Sequence, residues 1–152
     1  MTVGDFMENA IFTNMCMILD SKANVLVQNR TDPKWPGIAF PGGHVDAGEP
    51  FADAVVREIY EETGLHISDL QLCGIKNWIR DNGTRYVVFL YKTCTFEGEL
   101  KSSDEGEVFW LPLKELLKME LAKGMEVMLE LYIAGKYTEQ FYLKDEGKWM
   151  LL

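Results

Sequence analysis

PGGHVDAGEPFADAVVREIYEETGL, from Pro41 to Leu65, is the stretch whose reading decides the fold. It begins with a glycine turn at Pro41-Gly42-Gly43, passes through Gly48-Glu49-Pro50 and closes at Gly64. Proline lacks the N–H that a first helical turn cannot use, so Pro50 predicts the first helical position. Gly64 predicts the left-handed residue that ends a helix. At ~100° per residue, Glu58, Glu61 and Glu62 share a sector roughly 100° wide. Ala52, Val56, Ile59 and Tyr60 lie roughly opposite and form the expected core-facing side. Glu49, at the mouth of the helix, can fold back towards the acids.

Like charges at i,i+3 and i,i+4 destabilise a helix by about 0.2–0.5 kcal/mol per pair. A solvated helix face usually intersperses lysines at those spacings. From Pro50 to Leu65 there is no lysine, and Arg57 is the only base. A divalent cation would turn the repulsion into coordination, and all-oxygen ligands suit Mg²⁺ or Mn²⁺. The helix taken alone also fits an acidic surface helix beside a tight turn.

The wider spacing separates these readings. Gly43-x5-Glu49-x7-Arg57-Glu58-Ile59-x-Glu61-Glu62-x-Gly64-Leu65 matches the Nudix box at every defined position. At typical residue frequencies, a chance match at a given start is on the order of one in a billion. The chain therefore resembles the Nudix hydrolases. A looser likeness extends to Trp35-Pro36 ahead of the glycine turn and to a Glu-containing segment before Trp110.

A chain of 152 residues fits one domain, 1–152, large enough for a full core without disulfide staples. Its 47% apolar and 26% charged content is that of an ordinary globular protein. The net charge of −9 argues against a nucleic-acid polymer as partner. It leaves room for a small polyanionic nucleotide, because bound metal reverses the local sign. Cys16, Cys73 and Cys94 form no C-x-x-C pair and read as reduced core residues, as in a cytoplasmic protein. Asp5 and Glu8 stand where a targeting peptide would be basic. Met15 to Leu19 is too short to span a membrane.

Working outward from the box, Ile11–Leu19 and Val25–Gln28 predict two strands around the turn Asp20-Ser21-Lys22-Ala23-Asn24. Arg30, at the end of the second, is a candidate phosphate contact, since a guanidinium matches phosphate oxygens; an ordinary surface arginine fits as well. Ile38–Phe40 leads into the glycine turn. Leu70–Ile79 and Arg85–Phe96 predict two long strands joined by Asp81-Asn82-Gly83, a hairpin signal. Trp78, Tyr86, Phe89 and Tyr91 are candidates for stacking a base, although strand alternation makes most such residues core. After an acidic loop, Val108–Leu111 predicts a strand, Pro112 to about Ala122 and Gly124–Ile133 predict helices, and Thr138–Leu143 with Lys148–Leu152 a terminal hairpin. His44 has only His66 as a fellow histidine and no cysteine at ligand spacing, so it reads as structural or peripheral, not as a zinc ligand. This order of elements is that of an α/β protein with a mixed sheet between helices.

The Nudix resemblance implies the same architecture, an α/β/α sandwich with a mixed β-sheet. It also implies hydrolysis of a nucleoside diphosphate linked to another group. By match to the box, Glu58, Glu61 and Glu62 are the expected metal ligands, Glu49 an additional or outer ligand, and the Gly43 carbonyl lies near the metal. Gly42 and Gly43 border the substrate phosphates, and Arg57 orients a box glutamate by a charge-assisted hydrogen bond. A carboxylate acting as base is expected in the box or on a later loop, where Glu105 is the candidate, with Glu107, Glu99 and Glu97 behind it. Trp110 and Met125 lie where base contacts could arise, although core packing explains both. Length and the loop before Trp110 look similar to the MutT-like subgroup, which implies 8-oxo-dGTP cleaved to the monophosphate and pyrophosphate. ADP-ribose, nucleotide sugars, or a sensor that binds without turnover are the alternatives. No pattern in the sequence decides between monomer and homodimer.

Overall fold

Two sets of side chains alternate along the first strands and are buried in two different cores, so the sheet layer has a helix on each side. The computed structural model describes residues 2–152. Its elements are β1 (Ala10–Ile18), β2 (Asn24–Arg30), β3 (Gly37–Ala39), α1 (Phe51–Thr63), β4 (Leu65–Ser68) and β5 (Gln71–Ile79). They continue with β6 (Arg85–Thr93), β7 (Thr95–Gly98), β8 (Gly106–Pro112), α2 (Met125–Ile133), β9 (Glu139–Leu143) and β10 (Lys148–Leu151). Met15 and Met17 of β1, Val25 and Val27 of β2 and Val88 and Leu90 of β6 pack with Met125, Met128 and Leu129 of α2. Cys16, Ile18, Leu26 and Tyr91, one position out of phase, pack with Val55 and Ile59 of α1. A period of two in the strands thus distributes one sequence between two helices.

The larger sheet runs β1-β6-β5-β9-β10 and is mixed. β1 is parallel to β6 and β5 to β9, whereas β5–β6 and β9–β10 are antiparallel. A three-stranded antiparallel sheet, β3-β2-β8, lies beside it, and β4 pairs with β7. The two larger sheets are joined along the free edge of β1. Cys16 N–H donates to the Pro41 carbonyl at 2.9 Å, Asn14 N–H to Gly43 at 2.8 Å and Val45 N–H to Phe12 at 2.9 Å. The glycine turn is therefore held as part of the sheet edge, not as a free loop.

Several sequence expectations are corrected here. Pro50 stands just outside α1 at φ −60° and ψ 142°, with Phe51 the first helical residue; Gly64 ends the helix at φ 77° as expected. The buried stripe of α1 is Ala54, Val55, Ile59, Glu62 and Thr63. Ala52 and Tyr60 face solvent instead, with Tyr60 stacked on His66 at 4.3 Å. The expected strand Arg85–Phe96 breaks at Cys94 into β6 and β7. Thr93 causes the break: its hydroxyl donates to the Ser68 carbonyl and accepts from Thr95 N–H at 3.0 Å, turning the chain towards β4. The helix expected from Pro112 to Ala122 shrinks to a 3₁₀ stretch, Leu113–Lys118. Beyond it the backbone pairs with Ile38, through Ile38 N–H to Glu120 O at 2.8 Å and Ala122 N–H to Ile38 O at 2.9 Å. These long-range bonds satisfy the groups that a longer helix would have used. All three cysteines are free, but only Cys16 is a core residue, and Cys94 is exposed.

Candidate active site

Arg57 gathers the acids of the box. Its Nε and Nη2 bind the two oxygens of Glu49 at 2.8 and 2.9 Å, and Nη1 donates to Glu58 at 3.0 Å and Glu61 at 3.2 Å. Nη2 also donates to the His44 carbonyl at 3.0 Å, which ties α1 to the chain just after the glycine turn. The planar guanidinium fork makes this possible from a single side chain. Its field, chiefly through the direct hydrogen bond, holds Glu49 down at about 2, while Glu49 in turn raises Arg57 above its ordinary value.

Glu62 points the other way, into the protein. It is 6% exposed and accepts from Gly42 N–H at 3.1 Å and from the Gln28 amide at 3.4 Å. Burial pushes its carboxyl up to about 7, and the charges of Glu58 and Glu105 add to the rise. The Gly42 N–H and Arg30 pull in the opposite direction. Glu58 is raised as well, first by burial, with Arg57 offsetting part of it. Glu49 is thus compensated by Arg57, Glu58 only in part, and Glu62, one turn beyond Glu58, is short of positive charge.

The glycine turn is shaped to this pair of acids. A Cβ on Gly43 would overlap the Glu58 carboxylate, and one on Gly42 would overlap the Asn14 backbone carbonyl. Asn14 clamps the Gly43 peptide on both sides, donating N–H to its carbonyl at 2.8 Å and accepting its N–H on the side-chain oxygen at 3.1 Å. Two polar atoms beside this turn are buried without a partner, Asn14 Nδ2 and Gln28 Oε1.

A cleft of about 920 Å³ opens from this point. Glu58, Glu62, Gly42 and Gly43 line one part, and Glu105 reaches it from the loop before β8. Five basic residues, Arg30, Lys34, Lys76, Arg80 and Lys123, line it too, in a chain with only 15 Lys and Arg against 24 acids. Trp35, Trp78, Tyr86 and Trp149 supply aromatic wall. Arg30 is fixed by its Nε donating to the Trp35 carbonyl at 3.1 Å and lies over the Trp35 ring at 5.0 Å. Asp32 lines it as well, 3.9 Å from Arg30. Carboxylates, basic groups and aromatic rings therefore share one concavity, which suits a metal-bound polyanion with a flat group attached.

The sequence-predicted residues divide accordingly. Glu58, Glu62, Gly42, Gly43, Arg30 and Glu105 meet in the cleft. Glu49 and Glu61 are turned to Arg57 instead. No three acidic, His or Cys side chains among the described residues stand close enough together to form a metal cluster. The available donors are nonetheless all oxygen: the Glu58 and Glu62 carboxylates, the Gly43 carbonyl and the unpartnered Gln28 Oε1. That set suits a hard divalent cation, and the raised carboxyl groups are short of the charge it would bring. His44 sits at the rim, edge-on to Tyr86 at 6.3 Å. Of the four stacking candidates, Trp78 and Tyr86 face the cleft, stacked at 4.5 Å. Phe89 packs on Phe51 at 4.3 Å and Tyr91 joins the α1 core, because both lie an odd number of residues from Tyr86 along β6 and so take the opposite face. Trp110 lies against Phe96 at 5.1 Å and Met125 is fully buried, so both are core. Glu97 and Glu99 lie away from the cleft near Gly64, Glu97 paired with His66, while Glu107 is an exposed residue of β8 that does not line the cleft. Asn14, Gln28, Lys76, Arg80 and Trp149 escaped the sequence reading. Only Lys76 left a signal, as the one charged residue of its strand.

The fold and cleft define a mixed-sheet α/β protein with an acidic helix presented to a nucleotide-sized concavity. The profile of the NUDIX domain matches residues 13–132, and the chain belongs to that family. It is a Nudix hydrolase, a pyrophosphohydrolase of nucleoside diphosphates linked to a further group, in a family that uses divalent metal ions. The uncharacterized Nudix hydrolase YvcI of Bacillus subtilis is 28% identical over 86% of this chain and 89% of its own length. An ADP-ribose pyrophosphatase of Methanocaldococcus jannaschii is 34% identical over 74% of this chain and 66% of its own. Among solved structures, the MutT protein of Bacillus halodurans superposes with a TM-score of 0.73 at 27% identity, over 93% of this chain and 97% of that one. No helix among the described residues is long and apolar enough to cross a membrane.

Proposed function

We propose that this Nudix hydrolase cleaves an oxidised purine nucleoside triphosphate such as 8-oxo-dGTP to the monophosphate and pyrophosphate, with Mg²⁺ as the working ion and Mn²⁺ as a substitute. The single observation that carries the reading is the make-up of the cleft, with box carboxylates at the glycine turn and basic and aromatic groups within the same 920 Å³. A volume of that order takes one nucleotide.

Glu58 and Glu62, with the Gly43 carbonyl, would hold the metal, and the exposed Glu61 carboxylate, bound to Arg57 at 3.2 Å, would be a further ligand. Glu49 stays on Arg57 and keeps the guanidinium in place. When bound, the metal neutralises phosphate charge and lowers the pKa of a water. Arg30 steadies the phosphate chain at the end of β2. Gly42 and Gly43 line the cleft and, without side chains, pack closely on Asn14 and Glu58, which leaves the backbone of the turn to border the phosphates. Glu105, exposed at the cleft and close enough to raise Glu62, takes the proton from the attacking water.

A second reading, ADP-ribose or a nucleotide sugar as substrate, draws on the archaeal ADP-ribose pyrophosphatase, 34% identical over 114 residues. Product identification separates the two. Pyrophosphate from 8-oxo-dGTP, well ahead of dGTP and abolished by EDTA, supports the first reading. AMP from ADP-ribose, with triphosphates untouched, replaces it. Cleavage of nothing in the panel would leave a nucleotide-binding sensor.

A further inference from the structure

Lys76 is 5% exposed, in the middle of β5, and nothing in the reaction at the glycine turn calls for it. Its Nζ lies 4.8 Å from the Trp149 ring centre, 5.1 Å from Trp35 and 5.6 Å from Trp78. None of the ion pairs among the described residues includes it. A buried ammonium without an anion is costly. Cation–π contacts offset only part of that cost, whereas a methionine would fill the same space with none of it. The cage is built from three distant parts of the chain, the loop before β3, β5 and β10. Trp78 is stacked on Tyr86 and stands edge-on to Trp149 at 6.0 Å. Trp35 is pinned from the loop before β3 by its indole N–H on the Lys123 carbonyl at 2.8 Å. Across the strands Lys76 is in register with Val88 on one side and Gln140 on the other. Gln140 is fully buried, and neither end of its amide has a partner. Lys76 and all three tryptophans line the cleft.

We propose that Lys76 and the indoles of Trp35, Trp78 and Trp149 read the base: an indole stacks on its face, and the ammonium donates to a carbonyl oxygen on its edge. A lysine has donors only. Guanine presents acceptors at O6 and N7, and oxidised guanine keeps O6, whereas adenine places a donor amino group there. The subsite therefore takes 6-keto purines and rejects adenine. Aromatic stacking is indifferent to base identity, so selectivity falls to the one charged group among the rings. This inference rests on the reading of the cleft as a nucleoside triphosphate site.

The test compares the wild-type protein with Lys76→Met and Lys76→Arg. Rates with Mg²⁺ on 8-oxo-dGTP, dGTP, dITP and dATP give kcat/KM for bases with and without O6. Quenching of tryptophan fluorescence by dGMP, dIMP and dAMP, without metal, reads the base site independently of turnover. Lys76→Met is expected to lose about tenfold or more in kcat/KM on the three keto purines, chiefly through KM, with little change on dATP. Lys76→Arg, which keeps donors, recovers part of the loss. In the wild type dGMP and dIMP quench at lower concentrations than dAMP, and Lys76→Met abolishes the difference. An equal loss on all four triphosphates would mark a phosphate contact and overturn the assignment. Wild-type quenching without preference would overturn it too, even if Lys76→Met fails to fold. Quenching that prefers keto purines in a protein that cleaves no triphosphate would sink the proposed substrate and leave the base site standing.

Discussion

Both carboxylate oxygens of Glu49 are bound by Arg57, at 2.8 and 2.9 Å, although Glu49 precedes α1 and Arg57 lies at its middle. The same guanidinium holds Glu58, so the position of one acid in the cleft depends on an arginine that faces outward. Lysine has the charge but not the fork. Arg57→Lys is expected to fold and to lose tenfold or more in kcat with a smaller change in KM, about 1.4 kcal/mol per decade. Unchanged kcat would reduce Arg57 to a helix brace.

Glu62→Gln keeps the shape of the side chain and an acceptor for Gly42 N–H while removing a buried charge that has no arginine of its own. Activity is predicted to fall by two orders of magnitude or more if Glu62 holds the metal. In EDTA the variant should melt no lower than the wild type, since the lost charge was poorly compensated. Near-normal turnover would remove Glu62 from the ligand set.

Glu105→Gln probes the proton acceptor. Glu105 is exposed, so the fold is indifferent to its charge and the melting temperature should not move. A base contributes typically about 10²–10⁴-fold, and the loss should appear in kcat with KM nearly constant. A full rate in the variant would relocate the base to the box.

The two glycines of the turn predict opposite phenotypes. A Cβ at Gly42 meets the Asn14 backbone, which is fixed in β1, so Gly42→Ala should cost roughly 1–3 kcal/mol of stability or more. A Cβ at Gly43 meets the end of the Glu58 side chain, which can swing away. Gly43→Ala should therefore fold well and lose activity. Denaturant melts and initial rates on the pair decide it, and equal stability of the two variants would contradict the geometry.

Burial lowers Lys76 from its ordinary 10.5 to about 8, with Glu126 opposing the shift. Between those values the unfolded chain binds more protons than the folded one, so the group's contribution to stability rises with pH across the window. Below pH 8 its full cost is present. Lys76→Met should then be more stable than wild type at pH 7, with the gap closing by up to about 3 kcal/mol towards pH 10.5. Tyr132 and Cys16 also titrate high, but they are common to both proteins and cancel in the difference. A gap independent of pH would show that Lys76 is not held charged in an apolar site.

Much of the catalytic end was legible in the chain because its parts are local. Glycine turn, helix start, acids and helix stop all fall between Pro41 and Leu65, where spacing translates directly into helical angle. Even there the sequence misplaced part of the buried stripe: Ile59 is buried and Val56 packs on the core as expected, but Ala52 and Tyr60 face solvent, while Ala54, Val55 and Glu62 are buried. A helix with apolar residues on much of its surface can roll by tens of degrees, and the packing against Cys16, Ile18 and Leu26 selects the angle. The 3₁₀ stretch at Leu113–Lys118 followed the same rule, since pairing to Ile38 outweighed good helix formers.

The sequence by itself determined the box and its glutamates, and so the family and its chemistry. All of these are encoded in residues within a few turns of one another. Only the tertiary structure decided the other end of the cleft. Trp35, Lys76, Trp78 and Trp149 become neighbours because β5 pairs with β9, β9 with β10, and the loop before β3 is bonded to Lys123. Such contacts depend on strand register and on which face each residue takes, and a shift of one residue would send Lys76 to the opposite side of the sheet.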